Sequence, residues 1–444
     1  GKSYTPSVDD LEIPPDTTLG DFAFPCFTLS KGMKKPPHEI ALELAAKIGP
    51  KGMVKKIQAQ GPYVNFFLED KTFGEALLKE IKKEGERFGV SSVGKGRRVM
   101  VEYAQPNTHK DVHVGHIRNF VVGQMLINVL KKAGYEVVTA TYIGDLGTHI
   151  SRCLWGYKKF HAEEEPARAE QSQFLGKVYT EAVQYIEKHP KVKEEVDAIS
   201  REIEEGKGEY VALWKKTRKW SLEDIKAVFK ELGLQIDVWY YESDFVDVVK
   251  GKLEELKREG IVTESQGALI VDLEEEGLGA NLLMKSDGTL LYNGRDIGLA
   301  LRKEKDYHPD KSIYVIDARQ SLAMKQLFAT MRRMGFDKDM VHLSYEFVTT
   351  KEGSMSSRKG NVIAYDSFVS ELYNKAFGET KKRHEEWGED KIAKTAHAIA
   401  FSAIRFTMLR QDLEKMIAFD PEEAMATEGF TGPYILYSYA RIQS

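Results

Sequence analysis

The 444 residues carry 64 basic against 68 acidic side chains, a formal charge of -4, with 42% hydrophobic, 30% charged and 10% aromatic content. That is an ordinary globular composition of roughly two to four domains. It excludes disordered, fibrous and polycationic classes, while leaving room for a nucleic-acid partner held by a locally basic face. Cys26 and Cys153 are too few for a disulfide scaffold or a Cys-rich zinc site, and no apolar run approaches the ~20 residues of a membrane span. A cytoplasmic location is expected.

Residues 1–95 form a first block. A helix is expected over His38–Ile48 after Pro36-Pro37, with Ile40, Leu44 and Ile48 in one line. Gly61-Pro62 breaks the chain before an aromatic strand, Tyr63–Leu68. Lys31, Lys34, Lys35, Lys47, Lys51, Lys55 and Lys56 precede it, either a solvated face or a phosphate-facing one. Gly94–Arg98 reads as a linker.

From Val99 the pattern becomes strand (99–104), helix (Gly115–Lys132) and strand (Tyr135–Ile143), the signature of a parallel α/β sheet. Residues from about 155 to 262 are charged helices that read as an insertion, and the α/β signal is expected to return at Ala268–Leu273. A turn at Ser286-Asp287-Gly288, a helix at Asp296–Lys305, a strand at Ser312–Asp317, a helix at Ser321–Met334 and a strand at His342–Val348 follow. The catalytic region is thus bounded at 96–365, and 366–444 reads as helical.

The densest polar stretch is Asn107–His116, between a buried strand and the start of a long helix. A helix N-terminus offers N–H groups to phosphate, and His113 and His116 add donors around Gly115, as attack at the α-phosphorus of a nucleoside triphosphate requires. A helix-capping histidine beside a surface one, or a zinc pair, are the competing readings.

His113-Val114-Gly115-His116 resembles the His-Ile-Gly-His signature of class I aminoacyl-tRNA synthetases, a pattern shared with nucleotidylyltransferases. The wider string is more specific. Glu102–Asn107, Tyr142–Thr148, Lys285–Gly288, Tyr292–Asp296 and Gln320–Gln326 are similar to arginyl-tRNA synthetases over nearly the whole chain. This resemblance implies a Rossmann-type core with an N-terminal α+β domain and a helical insertion. It also implies L-arginine, ATP with Mg²⁺ and tRNA(Arg) as substrates, with no tightly bound cofactor and no resident metal. A monomer is expected.

An arginine substrate needs carboxylates matching its planar fork of donors, and Glu102 and Asp296 are the candidates, with Tyr292 as acceptor and wall. Asn107 and Gln320 suit the α-amino and carboxylate groups, and the resemblance adds His113 to the pocket. Alternatively, Glu102 pairs with a protein arginine and Asp296 caps a helix. Gly144 and Asp145 resemble the family's Gly-Asp-x-Gly around adenosine, where a self-bonded tight turn is the plainer reading.

The family's Lys-Met-Ser-Lys-Ser loop corresponds to Ser354-Met355-Ser356-Ser357-Arg358, followed by Lys359, with both lysines replaced. The resemblance implies that Lys110 compensates, so Lys110, Arg358 and Lys359 are the expected triphosphate cations, with Met355 and Ser356 in the same loop. A basic surface loop is the alternative.

The N-terminal block resembles the family's tRNA-elbow domain, which makes Asn65, Tyr63 and Phe67, on one strand face, candidates for base contacts. Gly432–Tyr437 resembles the first turns of the anticodon-binding domain, so the chain is expected to lack most of it. A non-catalytic tRNA- or arginine-binding module is the alternative function.

Overall fold

The computed structural model describes residues 6–350 and 363–444, which fall into two units, Gly1–Val90 and Ser91–Ser444. The boundary thus lies slightly before the expected 95.

In the first unit, β1 (Phe22–Pro25), α1 (Phe27–Met33), α2 (Pro37–Lys47), β2 (Val54–Gln60), β3 (Tyr63–Leu68) and α3 (Asp70–Glu84) follow in order. The strands form an antiparallel sheet, β1-β3-β2. Gln60 pairs with Tyr63, so Gly61-Pro62 is the two-residue hairpin loop, with Gly61 at φ 56°. Phe24, Ile40, Ala41 and Val64 form the core. Alternation puts Tyr63, Asn65 and Phe67 on the face opposite Val64.

The second unit is built on a five-stranded parallel sheet. Its strands are β4 (Arg98–Glu102), β5 (Glu136–Ile143), β6 (Val238–Tyr241), β10 (Lys311–Asp317) and β11 (Asp339–Tyr345), in the order β11-β10-β4-β5-β6. Between β4 and β5 runs α4 (Val114–Lys132), whose apolar positions Ile117, Val121, Val122 and Ile127 are buried on the sheet. The expected α/β architecture is therefore the one adopted.

The helices α5 (Thr148–Phe160), α6 (Gln171–Lys188), α7 (Val192–Glu205) and α8 (Val211–Glu231) make up the insertion. Its expected end at about 262 is corrected. Val238–Tyr241 already lies in the parallel sheet, beside β5, and α9 (Val246–Arg258) follows it. Ala268–Leu273 is likewise not a parallel strand. It is β8 in an antiparallel sheet with β7 (Thr263–Ser265) and β9 (Gly279–Met284). Four residues suffice for an edge strand, too few to show against charged helices on both sides.

After the Lys285–Thr289 turn, α10 (Tyr292–Tyr307) leads into β10 and α11 (Ser321–Arg333) into β11. The short strand β12 (Val348–Thr350) pairs with β13 (Ile417–Phe419), between the helices α12 (Tyr365–Arg383), α13 (Glu389–Leu409), α14 (Pro421–Ala424) and α15 (Gly432–Gln443).

Candidate active site

In the strand order, β4 is flanked by β10 on one side and β5 on the other, so connections diverge there and the carboxyl ends of β4 and β10 leave a crevice. Asn119 of α4 spans it. Its Oδ1 accepts the Ala104 amide at 2.6 Å and its Nδ2 donates to the Val315 carbonyl at 2.7 Å. The cleft has a volume of about 580 Å³, and its lining includes Glu102, Asn107, His113, Gly115, His116, Tyr142, Gly144, Glu242, Tyr292, Asp296, Arg319 and Gln320.

At one end stands the start of α4. His113 is its N-cap. The His113 Nδ1 accepts from the Gly115 amide and the His116 Nδ1 accepts from the His113 amide, both at 3.1 Å. Each acceptor role leaves the proton of a neutral ring on Nε2. Burial is the main reason both rings are neutral. It brings His113 down to about 4, helped by Lys110 and Arg319, and holds His116 well below the ordinary range, helped by His113 and Lys110. The rings lie 3.8 Å apart between centroids. Gly115 is required here, because a Cβ would sit 2.9 Å from the His113 ring.

The expectation of free helix amides is corrected. Val114 N–H donates to the Ile363 carbonyl, Gly115 N–H to the His113 ring and His116 N–H to the His113 carbonyl. An anion at this end therefore meets imidazole donors and the helix dipole rather than these amides.

The lining also includes an acidic group, Glu102, Glu242 and Asp296. Because α10 begins at Tyr292 with Leu291 as N-cap, Asp296 sits in its second turn and caps nothing. Burial raises its carboxyl to about 7, Glu102 pushing it further up and Lys303 and Arg295 pulling it down. Glu102 is 3% exposed and pairs with Lys303 through Oε2, while Oε1 accepts from Gln105 at 3.3 Å. The expectation that Glu102 offers a free bidentate carboxylate is thereby corrected. A protein cation does hold it, though a lysine rather than an arginine. Tyr292 is half-exposed at the rim, and Gln320 is the N-cap of α11. Asn107 bridges to Gly144 across the strand ends, and a Cβ on Gly144 would meet Asn107 Oδ1 at 2.1 Å, so that glycine admits the asparagine.

Asp145 departs from expectation. It is fully buried, and its carboxylate accepts Arg218 Nε at 2.7 Å, the Ser243 amide at 2.9 Å and the Ser243 hydroxyl at 2.7 Å. These bonds tie α8 and the turn after β6 to the loop carrying Gly144, and Asp145 is not among the residues that line the cleft. Lys110 lies with its Nζ 5.5 Å from the Tyr179 ring centroid, against α6. Met355, Ser356, Arg358 and Lys359 lie outside the described residues. In the N-terminal unit, Tyr63 packs edge-on to Phe27 and Lys56 lies 4.9 Å over Phe67. Asn65 is only 4% exposed, which corrects its expected presentation to a base. Among the described residues no cluster of three or more His, Cys, Asp or Glu is arranged to hold a metal. No helix among them is long and apolar enough to cross a membrane.

Among the cleft residues that escaped sequence reasoning are Glu242 and Arg319. Glu242 follows β6 inside the stretch read as insertion, and burial raises its carboxyl to about 8 against the pull of Arg295. Arg319 stands one residue before Gln320, held by Asp317 at 2.8 and 2.7 Å with its guanidinium carbon 5.3 Å from the Phe347 ring centroid. The adjacent Gln320 was the only available signal.

The profile described as "tRNA synthetases class I (R), catalytic domain" matches residues 77–420, and that described as "Arginyl tRNA synthetase N terminal domain" matches residues 3–68. The arginine–tRNA ligase of Bdellovibrio bacteriovorus is 38% identical, over 99% of this chain and 77% of that protein. That of Clostridium perfringens is 36% identical, over 98% and 76%. The arginyl-tRNA synthetase structure from Thermus thermophilus superposes with a TM-score of 0.80 at 25% identity, covering 97% of this chain and 77% of that one. The chain belongs to the arginyl-tRNA synthetase family of class I.

Proposed function

We propose that this cleft carries out arginine–tRNA ligation in protein synthesis, with the neutral imidazole end taking the phosphates and the acidic wall taking the arginine side chain. In the first half-reaction an oxygen of the arginine carboxylate attacks the α-phosphorus of ATP, pyrophosphate leaves and arginyl-adenylate forms. In the second, the 2′-hydroxyl of the terminal tRNA adenosine attacks the adenylate carbonyl and AMP leaves. One observation carries this reading. A single cleft is lined both by two Nε2–H imidazoles and by the carboxyl groups of Asp296 and Glu242.

The roles follow from charge. A guanidinium is a permanent cation with donors in a fixed fork, and it pairs with Asp296 and Glu242, with Tyr292 as an additional acceptor. Glu102, neutralised by Lys303, shapes the floor. Asn107 and Gln320 hold the α-amino and carboxylate groups so that the attacking oxygen faces phosphorus. His113 and His116 donate to oxygens of the pentavalent centre, where neutral donors fixed in advance cost no reorganisation. Arg319 and Lys110, together with Arg358 and Lys359 of the signature-like loop, are the cations for the triphosphate and leaving pyrophosphate, and Mg²⁺ accompanies ATP as part of that substrate. In the N-terminal unit, Tyr63, Phe67 and the neighbouring lysines supply the tRNA-facing surface, in a cytoplasmic monomer.

The alternative of a non-catalytic binding module is not favoured, since relatives matched over 98% or more of this chain are named as ligases. Arginine-dependent exchange of pyrophosphate into ATP, measured with tRNA present, tests the reading. Exchange that proceeds equally without arginine would overturn it.

A further inference from the structure

Behind the acidic wall lies a guanidinium belonging to the protein itself. Arg295, one residue before Asp296 on α10, is 3% exposed. Its Nη1 donates to Glu242 Oε2 at 3.2 Å, and its Nη2 donates to Glu204 Oε1 at 3.1 Å and to the Leu290 carbonyl at 2.8 Å. Glu204 comes from α7 of the insertion and Glu242 from the turn after β6, so one cation joins three elements. The side chains of Glu204 and Glu242 are 6% and 4% exposed. Two buried carboxyl groups share this one guanidinium, and Glu242 is the member that lines the cleft.

We propose that Arg295 is a positioning residue for arginine specificity: shared between Glu204 and Glu242, it holds the Glu242 carboxyl group in place as the second anionic partner of the substrate guanidinium. This rests on the arginine reading of the cleft. The groups facing Glu242 are Arg295, Asp296 and Tyr292 from α10, Tyr142 from β5, and Asp145 with the Leu146 amide from the loop after β5. Arg295 is the cation among them. Without it, Glu242 meets two carboxylates, two phenols and one amide in a buried setting, and its carboxyl, already raised to about 8, is pushed further up. A neutral carboxyl cannot receive a charged fork through both oxygens. Glu204 acts in the opposite sense, because it draws on the same cation from the insertion side.

The test is calorimetric titration of L-arginine, and separately of a non-hydrolysable ATP analogue, into the wild-type chain and the variants R295Q, R295K and E204Q from about pH 6 to about pH 9. R295Q is expected to weaken arginine on the order of tenfold at pH 7 and to regain affinity as pH rises. E204Q is expected to move the midpoint of the affinity profile to lower pH, and R295K to stay nearer the wild-type profile than R295Q does. The ATP analogue is expected to bind all variants alike. An unchanged arginine profile in R295Q, or parallel losses for arginine and the ATP analogue, overturns the positioning role even where wild type binds arginine. Should R295Q not fold, an unmoved profile in E204Q overturns it. A wild-type chain that binds no arginine overturns the arginine reading itself, and this inference with it.

Discussion

The two ends of the cleft achieve polarity by opposite means. At the start of α4, His113 and His116 are neutral rings whose tautomers are set by backbone amides a few residues away. In the acidic group, Glu102, Asp296 and Glu242 are crowded carboxylates whose burial is tolerated because Lys303 and Arg295 reach in from α10. The first end is pre-set for charge that develops during reaction, and local geometry alone suffices. The second receives a charge the substrate already carries, and needs a balance assembled from distant parts of the chain.

Removing His116 strikes the first end hardest. His116→Ala is expected to lower the rate of arginine-dependent pyrophosphate exchange by a factor of 10²–10³, roughly 3 kcal/mol, with little change in KM for arginine. Unaltered turnover in a folded variant would show that the imidazole pair only caps the helix. Asp296→Asn strikes the other end, replacing a charged acceptor with a neutral amide at a cost of about 2–3 kcal/mol, or on the order of 10²-fold in arginine affinity. Equal losses for arginine and ATP in titrations of that variant would make Asp296 structural and erase the contrast.

How much of each end was legible follows the same division. The phosphate end was readable because its residues lie within Asn107–His116 and the strand and helix around them announce themselves by period. What was misread there, the free amides, depended on a carbonyl from Ile363, far along the chain. On the acidic side Glu102 and Asp296 were visible as residue types but their partners were not. Lys303 stands 201 positions from Glu102. The burial of Asp145 was invisible for the same reason, since its partners Arg218 and Ser243 lie 73 and 98 positions away. Glu242 was hidden because a four-residue strand does not interrupt a charged helical pattern strongly enough to be seen.

The proton on Asp296 offers a smaller, graded test. A carboxyl raised to about 7 is largely protonated below that pH in the empty cleft, and pairing with a guanidinium requires it ionised. Arginine affinity is therefore expected to rise with pH through about 7 and to fall roughly tenfold per unit below it, with proton release on binding near neutrality. Calorimetry in buffers of different ionisation enthalpy measures that release. A heat independent of buffer would mean that the carboxylate is already ionised, or that it does not meet the guanidinium. Gly144→Ala probes the seam between the ends. Its methyl would stand 2.1 Å from Asn107 Oδ1, so the amide must turn away from the substrate's α-amino or carboxylate group. A rise of about tenfold in arginine KM with normal ATP binding is the expected result, comparable to one hydrogen bond to a charged group.

Tyr292 sets the lower limit of the comparison. It is 53% exposed at the rim, so water competes for its hydroxyl and a hydrogen bond to the guanidinium contributes only about 0.5–1.5 kcal/mol. Tyr292→Phe is expected to raise the arginine KM a few-fold while leaving kcat and the ATP KM near wild type, because the ring that walls the pocket is retained. Tyr292→Ala, which also removes the wall, is expected to cost more than the phenylalanine change. If the two substitutions cost the same, the hydroxyl and not the ring carries the interaction. Selectivity at the acidic end would then rest on hydrogen bonding at its exposed edge as well as on its buried charges.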